Sequence, residues 1–423
     1  MTIYASRIER LRGIQESSFC NDHSGSMASF FEVPFIEGSL QLELSRPAET
    51  PGHAQQRIGG YPAGVLMPKS AKLSFECNLE TFTTKATSTV AATSHWLAEM
   101  LEAALGGSHL MTGTAITTGA TTTVLPVSVA TTIRPGAAVG CNTGTGSALE
   151  IREVKSKSGS NITLKLATSN AASNSATVLG STTVFAHTRM TGADSISMQF
   201  AVEGQNIEDR WLLRGGALES LSFTFAPGAI PKCAFTWKFA RWDQADGSST
   251  SGDLTGPVIG EASYANHVTV VQMDSEFRSQ TVGTSTLSGT LLEASSIEFT
   301  PNIVWAPVTT SSGTNTVYQW VRTHVAPVIT GSVTLPYEDS QAWFTAHSSK
   351  TSKAMWLQIG SSTTDGGILV SAPRTFLTNP PQRVDVNGIM GQRFQFASRL
   401  DSDTTAESSF EALAESPFRI HFI

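Results

Sequence analysis

Leu221-Ser-Phe-Thr-Phe-Ala-Pro-Gly228, followed by Lys232-Cys-Ala-Phe-Thr-Trp-Lys-Phe239, is the stretch that decides the fold class. Leu221, Phe223 and Phe225 alternate with Ser222 and Thr224, and Cys233, Phe235, Trp237 and Phe239 alternate with Ala234, Thr236 and Lys238. A strict period of two puts the large side chains on one face of a strand and the small polar ones on the other. Pro227-Gly228 supplies turn chemistry between the runs. The stretch therefore predicts two strands joined by a tight turn, each buried on one face.

The same alternation appears upstream. Leu40, Leu42 and Leu44 oppose Ser39, Gln41, Glu43 and Ser45, and Leu73, Phe75, Cys77 and Leu79 oppose Lys72, Ser74, Glu76, Asn78 and Glu80. Ile196, Met198 and Phe200 run into a turn at Glu203-Gly204-Gln205-Asn206. A helix is expected over Ser94–Leu105, capped by Ser94 and ended by Gly106-Gly107. Residues 1–30 read as an arm, with Tyr4, Ile8 and Leu11 spaced for one face of a short helix before a polar Asp22–Ser26 stretch. Residues 46–70 and 306–327 lack periodicity and are expected to be long loops. From 112 to 187 the composition shifts to Thr, Ala, Gly, Ser and Val, with β-like runs at Ile151–Val154 and Asn161–Leu166, which predicts a small all-β insertion.

The order of elements then recurs. Ile297, Phe299, Ile303 and Trp305 echo the first strand, and the 306–327 loop separates them from Val333-Thr-Leu335. A helical Asp339–Ala346 follows, then strands at Met355–Ile359, Gly367–Val370, Arg383–Val386, Arg393–Phe396 and Phe418–Phe422. The expected fold class is all-β with a few short helices: duplicated β-sandwich or barrel domains plus a small inserted β-domain. The boundaries are 1–30 for the arm, 31–111 with 188–245 for the first copy, 112–187 for the insertion and 246–423 for the second copy.

Composition narrows the function classes. The 423-residue chain is long enough to bury at least two cores. Charged residues are 15% of it, against about 25% in ordinary soluble domains. A net charge of -7 and the absence of basic clusters argue against binding a phosphate backbone. A weakly negative wall would instead repel DNA. No run of 18 apolar residues predicts a transmembrane helix, and charges in Met1–Arg12 occupy the place of a secretory signal's apolar stretch. The protein is therefore expected to stay in the cytoplasm where it is made. Cys20, Cys77, Cys141 and Cys233 form no CxxC pair, and are expected to be buried free thiols in a reducing compartment.

Catalytic signatures are missing. There is no GxSxG, Walker loop, GxGxxG or HExxH, and none of the nine histidines sits three to five residues from another. His95 and His267 read as capped or solvated residues. Asp401–Glu407 looks like a calcium loop but lacks the ligand at its fifth place and the glycine at its sixth, so it is expected to be a flexible polar loop. Glu338 with Asp339, and Glu99 with Glu102, belong to helix starts and faces. Asn161-Ile-Thr163 fits a glycosylation acceptor, which matters only in a secreted protein. Trp237, Trp305 and Trp356 stand in register with apolar neighbours and are expected in the core. The sequence predicts no enzyme, no cofactor and no catalytic or metal-binding residues.

Gly64–Leu79 followed by His95–Gly106, and Arg214–Gly228 followed by Lys232–Phe239, resemble phage tail tube proteins, in particular the siphophage major tail protein with a duplicated tube domain. The first pair is similar to that family's edge strand and flanking helix, and the second to its glycine-led strand, Pro-Gly turn and aromatic return strand. The resemblance spans 36–423 in element order, and the 112–187 insertion departs from the minimal pattern. It implies a structural virion protein whose sheets join those of sister copies into trimeric, pseudo-hexameric rings. Stacked rings would form the tail tube, assembled in the host cytoplasm, through which DNA passes without sequence-specific binding. Partners implied are the tape measure protein and the tail terminator or tip proteins. Gln41, Glu43, Ser74, Glu76 and Asn78 are the candidate lumen-facing residues, and Arg46, Glu49, Gln55, Arg57, Tyr318 and Arg322 the candidate inter-ring loop residues. The competing reading is a virion protein that binds a receptor or carbohydrate, which would expose aromatics on loops. A hydrolase with a site dispersed across the fold is the third.

Overall fold

Eight strands carry the architecture: β1 (Gln41–Ser45), β2 (Ser70–Asn78), β3 (Arg210–Phe225), β4 (Lys232–Ala245), β5 (Ser296–Asn302), β6 (Val328–Pro336), β7 (Gln382–Val386) and β8 (Ile389–Ser398). All pairings among them are antiparallel, in the order β1-β2-β4-β3-β5-β6-β8-β7. The first four and the last four strands thus repeat one arrangement: first, second, fourth, third. The third strand of the first set joins the first strand of the second set through Phe223↔Phe299, Thr224↔Glu298 and Phe225↔Ile297.

The computed structural model describes residues 8–16, 30–45, 48–49, 65–66, 69–82, 96–142, 149–173, 176–188, 195–203, 210–226, 229–245, 267–269, 276–281, 290–292, 296–302, 305–309, 317–322, 328–336, 340–362, 366–386, 388–407 and 409–423. The fold is all-β with three short helices among these residues.

One row across the sheet explains its stability. Cys77, Cys233, Phe223, Phe299, Gly331 and Phe396 stand opposite one another on six successive strands, facing the core. Phe299 lies within ring-contact distance of Phe225, Phe396 and Phe418, at 6.2, 5.6 and 5.7 Å between centroids, so the aromatic core runs unbroken from the first repeat into the second. Gly331 has no side chain because there is no room for one. A Cβ there would lie 2.3 Å from the Phe396 ring and 2.4 Å from the Glu298 carbonyl oxygen. Helix α1 (Trp96–Leu105) covers the first repeat with eight buried residues and ends at Gly106, whose φ of 90° favours glycine. Helix α2 (Ser340–Ser348) occupies the corresponding place between the second and third strands of the second repeat.

Six strands lying between Thr114 and Leu179 form their own sheet, with Ile116, Leu125, Val139, Val154 and Ile162 in a separate core. The last strand of the chain, Arg419–Phe422, pairs on one side with Thr182–Phe185 and on the other with Gly366–Leu377. No helix among the described residues is long and apolar enough to cross a membrane.

Several sequence expectations are corrected. Ile8–Gln15 is a strand along Ile196–Glu203, where a short helix was expected. The distant partner strand decides its conformation, and Glu16 pins its end by accepting bonds from the Ser195 and Ser197 hydroxyls and, at 2.8 Å, from the Gly215 N–H. The supposed loop 306–327 contains a ladder of Trp305–Thr309 on Val317–Arg322, and within 46–70 Ala48–Glu49 pairs with Val65–Leu66. The strand β5 ends at Asn302, so Trp305 belongs to the separate ladder. The strand expected at the sheet edge, β2, is flanked on both sides, by β1 and β4. Ser94, His95, the Pro227-Gly228 turn and the 204–206 turn lie outside the described residues.

Candidate functional site

Opposite the aromatic core, this run of eight strands, part of a larger sheet, presents a face of small and polar residues. One row across six strands reads Asn78, Lys232, Thr224, Glu298, Ser332 and Gln395, and a second reads Gln41, Ser74, Thr236 and Ser220. Both repeats contribute to it. The five residues expected on a lumen fall together on β1 and β2: Gln41 stands opposite Ser74, and Glu43, Glu76 and Asn78 continue the same face. Glu298, Thr300, Thr330, Ser332, Arg393 and Gln395 line a shallow depression of about 300 Å³ in it.

Among the described residues of this face, Glu43, Glu76, Glu219 and Glu298 stand with Lys72, Lys232, Lys238 and Arg393. Glu219 pairs with Lys72 at 3.1 Å and Lys238 at 2.5 Å, Glu76 with Lys232 at 3.8 Å, and Glu298 with Arg393 at 3.8 Å, while Glu43 stands exposed. The pairs are solvated and each contributes at most about 1 kcal/mol. Their effect is on the field: the paired charges cancel locally.

At both ends of the run the sheet is open. Among the described residues β1 pairs only with β2, and β7 only with β8. Unpaired N–H and C=O groups on such strands are ready to bond another strand. Large apolar side chains also stay exposed there: Leu44 at 37% on β1, and Ile389 at 64% and Met390 at 53% beside the β7–β8 turn. No family model and no curated protein matches this chain. The geometry of the face and of its two edges therefore bears the functional argument alone.

The candidate inter-ring residues are less well placed. Arg46, Gln55 and Arg57 lie outside the described residues. Glu49 sits in the short ladder opposite Val65, and Tyr318 and Arg322 lie on the strand paired with Trp305–Thr309. His267 pairs with Phe82 in a two-stranded ladder. Trp237 and Trp356 are in the core, as their register suggested.

A buried ion network escaped the sequence reading. Arg419, fully buried, donates from Nη1 to Glu153 Oε1 at 3.2 Å and from Nη2 to Asp401 Oδ2 at 2.8 Å. Lys165 pairs with Asp401 and stands 3.6 Å from Glu153. His421 Nε2 donates to Glu153 Oε1 at 3.0 Å, and its Nδ1 accepts from the Thr183 hydroxyl at 2.9 Å. That tautomer follows from the carboxylate, which can only accept. Burial pushes the Glu153 carboxyl up, but Arg419, Lys165 and the His421 hydrogen bond outweigh it and hold it well below the ordinary carboxylate range. The same opposition leaves Asp401 at about 2, and burial holds His421 below its ordinary value despite the pull of Glu153. Two carboxylates, two cations and a neutral imidazole therefore balance in a dry joint.

The joint fastens the inserted sheet, which carries Glu153 on Leu149–Ser158, to the C-terminal strand of the large sheet. Asp403 extends it to Lys155 at 2.9 Å, and Glu407 to Arg134 at 2.8 Å and Lys157 at 3.2 Å. The acidic run expected to be a flexible loop is thus a clamp. No sequence signal joins residues 153, 165, 401, 419 and 421; the fold alone collects them.

Proposed function

We propose that this chain is a structural virion protein of the phage tail tube type, which assembles edge to edge into rings that stack as a conduit for DNA. The supporting observation is the junction inside the chain. There the third strand of one repeat bonds the first strand of the next, and the two strands left open, β1 and β7, are a first and a third strand. A second copy can therefore add its β1 to β7 as β5 adds to β3. Such a contact is head-to-tail, and head-to-tail contacts close into rings or run on as filaments. Three chains would present six repeats, the pseudo-hexameric trimer that the resemblance implies.

The polar face suits the inside of the ring. It is wet, and among its described residues most charges pair and no aromatic of β2 to β6 is more than half-exposed, so it offers DNA little cationic track or stacking platform. The reading places the protein in the virion after assembly in the host cytoplasm, beside tape measure, terminator and tip proteins. Electron microscopy of the negatively stained protein tests it. Rings or striated tubes of constant width are expected. Discrete monomers that bind glycan would favour the receptor- or carbohydrate-binding alternative instead.

A further inference from the structure

The register of β2 on β4 sets Cys77 directly opposite Cys233, both on the core face and both fully buried. Directly opposed residues of an antiparallel pair have Cα atoms about 4.5 or about 5.5 Å apart, according to the kind of pair they form. Either separation falls inside the window of roughly 4.4 to 6.8 Å that a disulfide spans without backbone movement. The side chains already lie together: Cys77 Sγ donates to the Cys233 carbonyl at 3.6 Å, and both side chains are buried on the core face. Both are free thiols in the structure.

We propose that Cys77 and Cys233 form a latent cross-strand disulfide, closed by a small peroxide oxidant once the protein leaves a thiol-reducing compartment, that staples β2 to β4. Hydrogen peroxide balances the step. One thiol gives up its proton, its thiolate sulfur attacks a peroxide oxygen and the O–O bond breaks, leaving a sulfenic acid and a hydroxide that takes up that proton as water. The second thiol likewise gives up its proton, its thiolate attacks that sulfur, the S–S bond forms, the S–O bond breaks, and the departing hydroxide takes up the proton as a second water. Each sulfur loses one electron and the peroxide takes up two. Burial pushes the Cys233 thiol well up, so the thiolate is scarce and the reaction is slow. This inference does not rest on the tube reading.

Cys141 supplies an internal control. It is equally buried, with its thiol pushed up to about 12, but it stands opposite Glu150 and Val178 and has no cysteine across from it. The experiment exposes the native full-length chain to hydrogen peroxide, alkylates it in denaturant and maps the peptides by mass spectrometry. Expected is a Cys77–Cys233 cross-linked peptide lacking two hydrogens, with Cys141 alkylated. The bridge closes a loop between positions 156 apart, so the thermal midpoint should rise by several degrees and fall back on reduction. A Cys233→Ala variant should show no such rise. Recovery of both cysteines as alkylated thiols, their separate conversion to sulfinic acids, or bridging to Cys20 or Cys141 instead would overturn the proposal.

Discussion

Proline at the outward-bonding position of β1 or of β7 is expected to abolish ring formation and leave the monomer folded. Along an edge strand alternate N–H groups point inward to the neighbour and outward to solvent. Of Leu42 and Glu43 on β1, and of Arg383 and Val384 on β7, one in each pair therefore presents its N–H outward. Proline at that position removes the donor and sets a ring against the incoming strand, while edge strands otherwise tolerate it. The loss of one or two ladder bonds at about 1 kcal/mol each, plus the clash, should raise the concentration needed for assembly by about 100-fold or more. Sedimentation reports assembly and circular dichroism reports fold. Proline at the inward-bonding neighbour should instead lower stability, because it cuts β1 from β2 or β7 from β8. Unchanged assembly for all four variants would mean that copies meet elsewhere.

Arg419→Met should be the most damaging single change to stability. It removes the cation that both Glu153 and Asp401 depend on, with little loss of volume, and leaves two buried carboxylates to share Lys165. Breaking a buried network this way costs about 3–5 kcal/mol. Urea unfolding measures the loss, and hydrogen exchange should locate it at Leu149–Ser158 and the 401–407 clamp. The pH dependence follows in sign. Glu153 and Asp401 have depressed folded values, so their contribution is complete above the unfolded carboxylate range near pH 4 and is lost as pH falls toward the Asp401 value of about 2. His421 is also depressed, so the unfolded chain takes up its proton first, and a smaller loss begins as pH falls through about 6.5. In Arg419→Met the slope between pH 4 and 2 should flatten, since the carboxyls are no longer held so low.

How far the fold was legible depended on the distance between partners. The strands around Phe75, Phe235 and Phe396 are visible because a core face and a wet face write period two into the chain itself. The repeat was legible for the same reason, as an order of strands, loop and helix. Ile8–Gln15 was not, because Ile8 and Leu11 mimic a helical spacing and the strand forms only against Ile196–Glu203. The Val317–Arg322 ladder was hidden by Pro307 in its partner run. For the candidate site, the polar face around Gln41, Ser74 and Glu76 could be read from alternation, but its continuation through Thr224, Glu298 and Gln395 could not. That continuation depends on β3 meeting β5, a contact between separate repeats.

The head-to-tail edge contact is the claim on which the functional account stands, and cross-linking tests it most directly. Glu43→Cys on β1 and Gln382→Cys on β7 put a reactive thiol on the polar face at each open edge. The double variant treated with a short bis-maleimide should give a ladder of covalent oligomers ending at the size of the closed ring. Each single variant should stay at the mass of one chain. Dimers from either single variant, or no oligomer from the double variant at a concentration where the wild type assembles, would contradict the account.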